Sequence, residues 1–145
     1  MVLKNCYFCF GFFASIYFNL HRLILMDFRY INTEYLEMLS GGDFEIIREL
    51  IDMFRDQSGE ISREMRSCLM NNDFSSLGKL AHKAKSSVAI VGLNGLAEML
   101  GKFELMTKER KQTEQYEAYI TRFDQETKIA VKELDQYVNN SLNSD

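Results

Sequence analysis

The chain contains no proline and only eight glycines in 145 residues. Proline interrupts helices and glycine marks the turns between short strands, so this composition permits long helices and argues against an all-β domain. The length leaves room for one domain rather than two. Hydrophobic residues make up 46% and charged residues 26%, which excludes a disordered chain and a collagen-like repeat.

The sequence also lacks an excess of positive charge, because its net charge is −4. Binding to the phosphate backbone needs a positive footprint, so we expect no nucleic-acid partner. The charge is unevenly distributed. Residues 1–26 contain no acid and only Lys4 and Arg22 as bases, so residues 27–145 alone carry −6.

Residues 1–26 differ from the rest of the chain in being apolar and rich in aromatic residues. The apolar run over 6–20 is shorter than the roughly 20 residues of a membrane-spanning helix, and no clear cleavage site follows it. The segment is therefore a short anchor or uncleaved signal, an extra helix packed on the domain, or the result of a start codon assigned too early. We favour the last interpretation, with Met26 as the true start, and predict a cytoplasmic domain over 27–145 that meets a membrane only if 1–26 is an anchor.

Three cysteines are too few for a disulfide framework. Cys6 and Cys9 have the spacing of half a zinc site, but no second pair follows and their neighbours are aromatic. Cys68 lies at a helical core position and is interpreted as a small buried hydrophobe. We predict no metal ion and no cofactor.

Apolar residues recur at steps of three and four along 27–145, the spacing of helices with one buried face. We predict a short helix over 33–39, with Tyr35, Leu36 and Leu39 on one face. Four long helices are predicted over about 43–70, 74–91, 94–106 and 113–138. The predicted helix caps are Asn32, Asp43, Asp73, Asn94 and Thr113. Gly92 is predicted to end the helix over 74–91. Residues 108–112 are predicted as a turn and 139–145 as a polar tail.

Short connections between long amphipathic helices favour antiparallel neighbours. The predicted fold is all-α, an antiparallel up-down-up-down four-helix bundle with a short N-terminal capping helix. No strand pattern, phosphate-binding loop, nucleophile elbow or HExxH motif is present, which argues against an α/β nucleotide-binding fold and the common hydrolases.

His82 is the only histidine in 27–145 and lies in the middle of the helix predicted over 74–91. At 100° per residue, the apolar residues of that helix cluster in one sector, and His82 falls about 150° from its middle. The apolar residues are Leu77, Leu80, Ala84, Val88 and Val91. His82 is therefore predicted to point to solvent rather than into the core.

The neighbours of His82 on its own face are small. They are Ser75, Gly78, Ser86 and Ala89, with Lys79 and Lys85 three residues away on either side. Small residues allow another protein to approach the imidazole closely, and lysine attracts an anion. Neutral imidazole is nucleophilic near neutral pH, and lysine can partly neutralise a phosphoryl group during its transfer. The pattern suits an imidazole that accepts and releases a phosphoryl group.

These residues resemble the histidine-containing phosphotransfer (HPt) domain of bacterial two-component phosphorelays. The family's H-x-L-K-G-S/A run corresponds to residues 82–87, its glycine ten residues later to Gly92, and its leucine-rich helix ending in Leu-Glu to the stretch up to Glu104. The order and spacing of residues upstream also match, so the resemblance covers about 27–140. Two positions depart from the pattern, since Ala84 replaces leucine and Ser86 replaces glycine.

The resemblance implies a phosphorelay intermediate. His82 would accept a phosphoryl group at Nε2 from a receiver-domain aspartate of a hybrid sensor histidine kinase and pass it to a response-regulator aspartate. Lys85 would stabilise the phosphoryl charge, and the Ser86 hydroxyl could contact a phosphoryl oxygen. The predicted docking residues are Ser75, Gly78, Lys79 and Ala89. We expect a monomer without ATP binding or kinase activity, with Mg²⁺ only on the receiver.

Other interpretations remain open. The domain could dock on a receiver without transferring phosphate, which the departures at Ala84 and Ser86 would favour. It could also be a helical bundle with an unrelated partner, in which His82 and its lysines are merely solvated. A histidine metal site lacks support, because no second histidine or cysteine lies three or four residues away.

Overall fold

The computed structural model describes residues 30–142, and within them all regular structure is helical. The helices are α1 (Thr33–Ser40), α2 (Phe44–Met70), α3 (Phe74–Ile90), α4 (Asn94–Glu109) and α5 (Tyr116–Leu142), with a 3₁₀ turn at Thr113–Gln115 before α5. The predictions for 1–26, including those for Cys6 and Cys9, lie outside the described residues.

The four long helices form an antiparallel bundle. Each packs against the next along the chain, and α2 also packs against α5, which closes the bundle. Their buried stripes meet in one core, which confirms the predicted all-α four-helix fold. The largest fully buried side chains are Leu36, Ile47, Ile61, Met65, Leu77, Leu96, Leu100, Phe103, Tyr116, Ile120, Phe123 and Leu134.

The short helix α1 covers one end of the bundle, as predicted. It packs on α2, and Glu37 accepts a hydrogen bond of 2.6 Å from the Tyr137 hydroxyl of α5. The chain before α1 is held by Glu133, whose carboxylate accepts from the backbone N–H of Tyr30 at 3.0 Å. Contacts with residues about 100 positions away along the chain therefore hold α1 and the residues before it against α5.

The local signals at α1, α2 and α3 act as the sequence predicts. Asn32, Asp43 and Asp73 each accept a backbone N–H of the first turn of the helix that follows, which satisfies donors that have no partner within the helix. Gly92 follows Val91, the C-cap of α3, and adopts a φ of +79°, the left-handed conformation that commonly ends helices. Helix α3 is therefore fixed at both ends.

The bounds of α4 differ from the prediction. Asn94 is the first helical residue, and the cap position belongs to Leu93, which makes no side-chain capping bond. Leu93 is buried in the core, so packing rather than capping sets the start. The helix also continues to Glu109, past Lys108, which the sequence placed in a turn. Arg110, with a φ of +50°, ends it.

The start and end of α5 also differ from the prediction. Thr113 opens the 3₁₀ turn instead of capping α5, which begins three residues later at Tyr116. Tyr116 is fully buried, and its hydroxyl donates to the backbone carbonyl of Met106 at 2.8 Å. That contact ties the α4–α5 connection to the core. At the other end α5 runs to Leu142, four residues into the segment predicted as a polar tail.

Several positions predicted as buried are less buried than expected, among them Leu39, Leu80 and Cys68. Leu39 is exposed at the end of α1, while Leu36 alone fills the core from that helix. Leu80 and Cys68 lie partly buried at the edge of the core. In α3, Ala81 is fully buried beside the partly buried Leu80.

Candidate functional site

His82 lies in the middle of α3 with 59% of its side chain exposed. This position agrees with the orientation derived from helical periodicity. The ring is nevertheless not free, because its Nδ1 lies 3.1 Å from Oε2 of Glu104 on the neighbouring helix α4. The contact joins residues 22 positions apart, so it depends on how α3 and α4 pack.

Glu104 is the centre of a cluster of charged side chains, although only 10% of its own side chain is exposed. Lys85 of α3 donates to Oε2 at 3.1 Å, and Lys108, one turn further along α4, donates to Oε1 at 2.7 Å. Both carboxylate oxygens are therefore occupied. A mostly buried carboxylate of this kind is found in folded proteins where charged partners compensate for its lost hydration.

The hydrogen bond from Lys108 is the main reason why the pKa of Glu104 is lowered from 4.5 to about 2. The contacts with Lys85 and His82 lower the pKa further, and burial opposes them by penalising the charged form. Glu104 is consequently ionised throughout the neutral pH range.

An ionised carboxylate can only accept hydrogen bonds. The Nδ1 atom of His82 must therefore carry the proton in its contact with Glu104, which fixes the tautomer of the neutral ring. The lone pair then lies on Nε2, and Nε2 has no hydrogen-bond partner among residues 30–142. The geometry thus presents the outer ring nitrogen as a nucleophile.

His82 borders an open groove of about 480 Å³ between α3 and the end of α4. Three cationic side chains, those of Lys79, Lys108 and Arg110, contribute to its walls. Its other lining residues are Phe74, Ser75, Gly78, Glu104 and Thr107. A groove with a nucleophilic nitrogen at its edge and cations along its walls is suited to a phosphoryl group.

The sequence matches the family model of the Hpt domain over residues 49–140, which is more than half of the chain. The chain belongs to the Hpt domain family. His82, Glu104 and both lysines that contact Glu104 lie within the match. Membership implies a phosphotransfer intermediate of two-component signalling, a phosphocarrier rather than a kinase, that interacts with receiver domains.

No curated protein and no solved structure matched the chain. In the Hpt domain described here, residues 30–142, no helix has the length and apolar character needed to cross a membrane.

The Hpt domain places the predicted site residues in three groups. Ser75 and Lys79 line the groove beside His82. Lys85 contacts Glu104 and so lies against the site from α3. Ser86 and Ala89 are exposed on α3 but do not line the groove, and the Ser86 hydroxyl donates to the backbone carbonyl of His82 at 3.3 Å. That bond holds the hydroxyl along its own helix.

Gly78 differs from these residues, because it lines the groove but is buried rather than exposed. Gly78 is buried against α4, and a Cβ atom built on it would lie 2.7 Å from Oγ1 of Thr107. Helical periodicity puts Gly78 on the edge of the His82 face, and that edge is covered by the neighbouring helix. The sequence alone does not show where α4 crosses.

Sequence reasoning assigned no role to Glu104 or Lys108. Glu104 appeared only as the end of a family motif, and Lys108 was assigned to a turn. A signal for Glu104 was present, because an acid occupies the buried stripe of α4 between Leu100 and Thr107. A carboxylate at such a position needs charged or hydrogen-bonding partners, and His82 is a natural candidate.

Proposed function

We propose that His82 accepts a phosphoryl group from a receiver-domain aspartate of a hybrid sensor histidine kinase and passes it to an aspartate of a response regulator. One observation carries the proposal. An exposed imidazole is oriented through Nδ1 by a largely buried, ionised carboxylate at 3.1 Å, which leaves Nε2 as the nucleophile.

The transfer balances without an added reactant. The Nε2 lone pair attacks phosphorus, the N–P bond forms, and the P–O bond of the aspartyl phosphate breaks to release the aspartate carboxylate. Nδ1 keeps its proton, so the phosphorylated ring becomes an imidazolium. Glu104 stabilises this developing positive charge, as a buried carboxylate does beside a catalytic histidine. The second transfer is the reverse reaction, with a different carboxylate as acceptor.

The lysines provide the complementary stabilisation of the phosphoryl group. Lys79 and Lys108 line the groove, and Lys85 donates to the same Glu104 oxygen that contacts His82. Residues 27–145 carry a net charge of −6, so these lysines stand out as a local positive patch. That patch suits the acidic side chains of a receiver, which would bring its own Mg²⁺. Charge complementarity of this kind raises the association rate and selects the orientation of the partner.

The exposed residues of α3 around His82 give the receiver room to approach. Ser75, Ser86 and Ala89 are small and exposed, so the aspartyl phosphate can reach Nε2 without displacing long side chains. Gly78 lines the groove but is itself buried against α4, so it offers less exposed surface than these three residues.

The test is transfer of phosphate from phosphorylated receiver domains to the full 145-residue chain. We expect a label on the protein that is labile in acid and stable in base, the property of phosphohistidine. The His82→Gln variant should take up no label while keeping its helical circular dichroism. Lys83→Gln is the matched control, since Lys83 is exposed next to His82 on α3 but does not line the groove.

Uptake of label by His82→Gln would mean that another residue is the acceptor. Receiver binding by the wild-type chain without any label would instead favour a docking module without phosphotransfer.

A further inference from the structure

Helices α3 and α4 approach one another closely beside Gly78. A Cβ atom at this position would lie 2.7 Å from Oγ1 and 3.6 Å from Cβ of Thr107, and 4.0 Å from the backbone oxygen of Glu104. The first distance is far below ordinary van der Waals contact. The absence of a side chain at Gly78 therefore sets the separation of the two helices at this level of the bundle.

This close approach lies one helical turn from the reactive pair. Gly78 precedes His82 by four residues, and Thr107 follows Glu104 by three, so the two contacts are successive layers of the same antiparallel interface. The layers are also joined by a hydrogen bond, since the buried Thr107 hydroxyl donates to the backbone oxygen of Glu104 at 2.8 Å. A displacement at Gly78 is thereby transmitted to Glu104.

We propose that Gly78 is a positioning residue for phosphotransfer, which brings α4 close enough for Glu104 to hold the imidazole of His82 through Nδ1. The proposal rests on the proposed function of His82. It also explains why a helix interior keeps a glycine, which is less favourable there than alanine. Glycine at this position allows the close approach of α3 and α4 on which the 3.1 Å contact between His82 and Glu104 depends.

An alanine at position 78 can be accommodated in two ways. The helices can separate, which lengthens the contact between His82 and Glu104. Alternatively, Thr107 can rotate, which leaves its buried hydroxyl without the Glu104 carbonyl as acceptor, a cost that disappears when the hydroxyl itself is removed. Each response disturbs the layer that carries Glu104. Gly101 on the opposite side of that layer is different, because a Cβ there would meet Lys85 Cδ at an ordinary 3.6 Å.

The experiment compares Gly78→Ala with Gly101→Ala, the same substitution in the same interface. Transfer from a phosphorylated receiver should slow about tenfold or more for Gly78→Ala, since small displacements of oriented groups cost rates of this order. Gly101→Ala should remain close to wild type. Ring ¹⁵N NMR of His82, assigned by comparison with His82→Gln, should show loss of the dominant Nδ1–H tautomer in Gly78→Ala only.

A second substitution separates positioning from loss of folding. Thr107→Ala removes the oxygen that lies 2.7 Å away and leaves the ordinary contacts at 3.6 Å and 4.0 Å. The double variant Gly78→Ala/Thr107→Ala should therefore recover most of the rate and the Nδ1–H tautomer. The double variant Gly78→Ala/Thr107→Val should not recover the rate, because valine retains a branch on Cβ near the added methyl group.

The inference is overturned if Gly78→Ala transfers phosphate and populates the Nδ1–H tautomer like the wild type, or if Thr107→Ala gives no recovery. Failure of the proposed function has a different signature, which is an unlabelled wild-type chain. In that case the ring NMR of the Gly78 and Gly101 variants still decides whether Gly78 positions the pair.

Discussion

Replacing Glu104 by glutamine should make the stability of the domain less dependent on pH. Glutamine keeps the size and hydrogen-bonding oxygen of Glu104 but removes the charge that Lys85, Lys108 and His82 surround. The pKa of Glu104 falls from 4.5 to about 2 on folding. This shift corresponds to roughly 3 kcal/mol in favour of the ionised form of the folded protein.

The lowered pKa of Glu104 determines how stability changes with pH. A carboxyl group with a lowered pKa in the folded state stabilises that state above pH 4.5, and this contribution is lost as the pH falls towards 2. About 2 kcal/mol of it should be gone at pH 3. Because Lys85 and Lys108 are 36% and 63% exposed, salt will screen the cluster and the value is an upper bound.

The assay is urea unfolding of the wild type and of Glu104→Gln, followed by helical circular dichroism at pH 7 and pH 3 in low salt. The difference in unfolding free energy between the two proteins should shrink by up to about 2 kcal/mol at the lower pH. Glu98→Gln, an exposed carboxyl on the same helix α4, is the control and should change stability by less than about 0.5 kcal/mol. If Glu104→Gln changed the unfolding free energy by the same amount at pH 7 and pH 3, the lowered pKa of Glu104 would not contribute to stability as argued.

Two further predictions concern Lys108 and Gly59. Lys108→Gln removes the hydrogen bond that lowers the pKa of Glu104 most. The carboxyl ¹³C resonance of Glu104 should therefore titrate at a higher pH than in the wild type. An unchanged titration would show that Lys108 does not lower this pKa. Gly59 lies inside α2, where an added Cβ would meet only Arg63 at 3.6 Å. Gly59→Ala should therefore raise the unfolding free energy by about 0.5–1 kcal/mol through helix propensity, and destabilisation in urea unfolding would show that α2 needs the glycine.

Much of α3 could be predicted because its signals are local. Asp73 caps the helix and Gly92 ends it through backbone and side-chain groups only a few residues away. The exposure of His82 follows from the same periodicity, since a helix turns by a fixed angle per residue. The sequence could not show that Leu93 rather than Asn94 stands at the cap of α4, because burial in the core sets that boundary.

The site as a whole depends on a second helix. The contact between His82 and Glu104 spans 22 positions and exists only because α3 and α4 pack closely. Lys108 joins the cluster because α4 continues one turn beyond its predicted end, which places Lys108 four residues after Glu104 on the same face. Neither feature can be read from the periodicity of one helix.

The sequence by itself determined a proline-free set of amphipathic helices and the outward orientation of His82, since both follow from the fixed rotation per residue of an α-helix. Only the tertiary structure decided which face of α3 is covered. It buried Gly78 against α4 and brought Oε2 of Glu104 to 3.1 Å from Nδ1 of His82. The physical reason is that the distance and crossing of two helices depend on side chains from both of them.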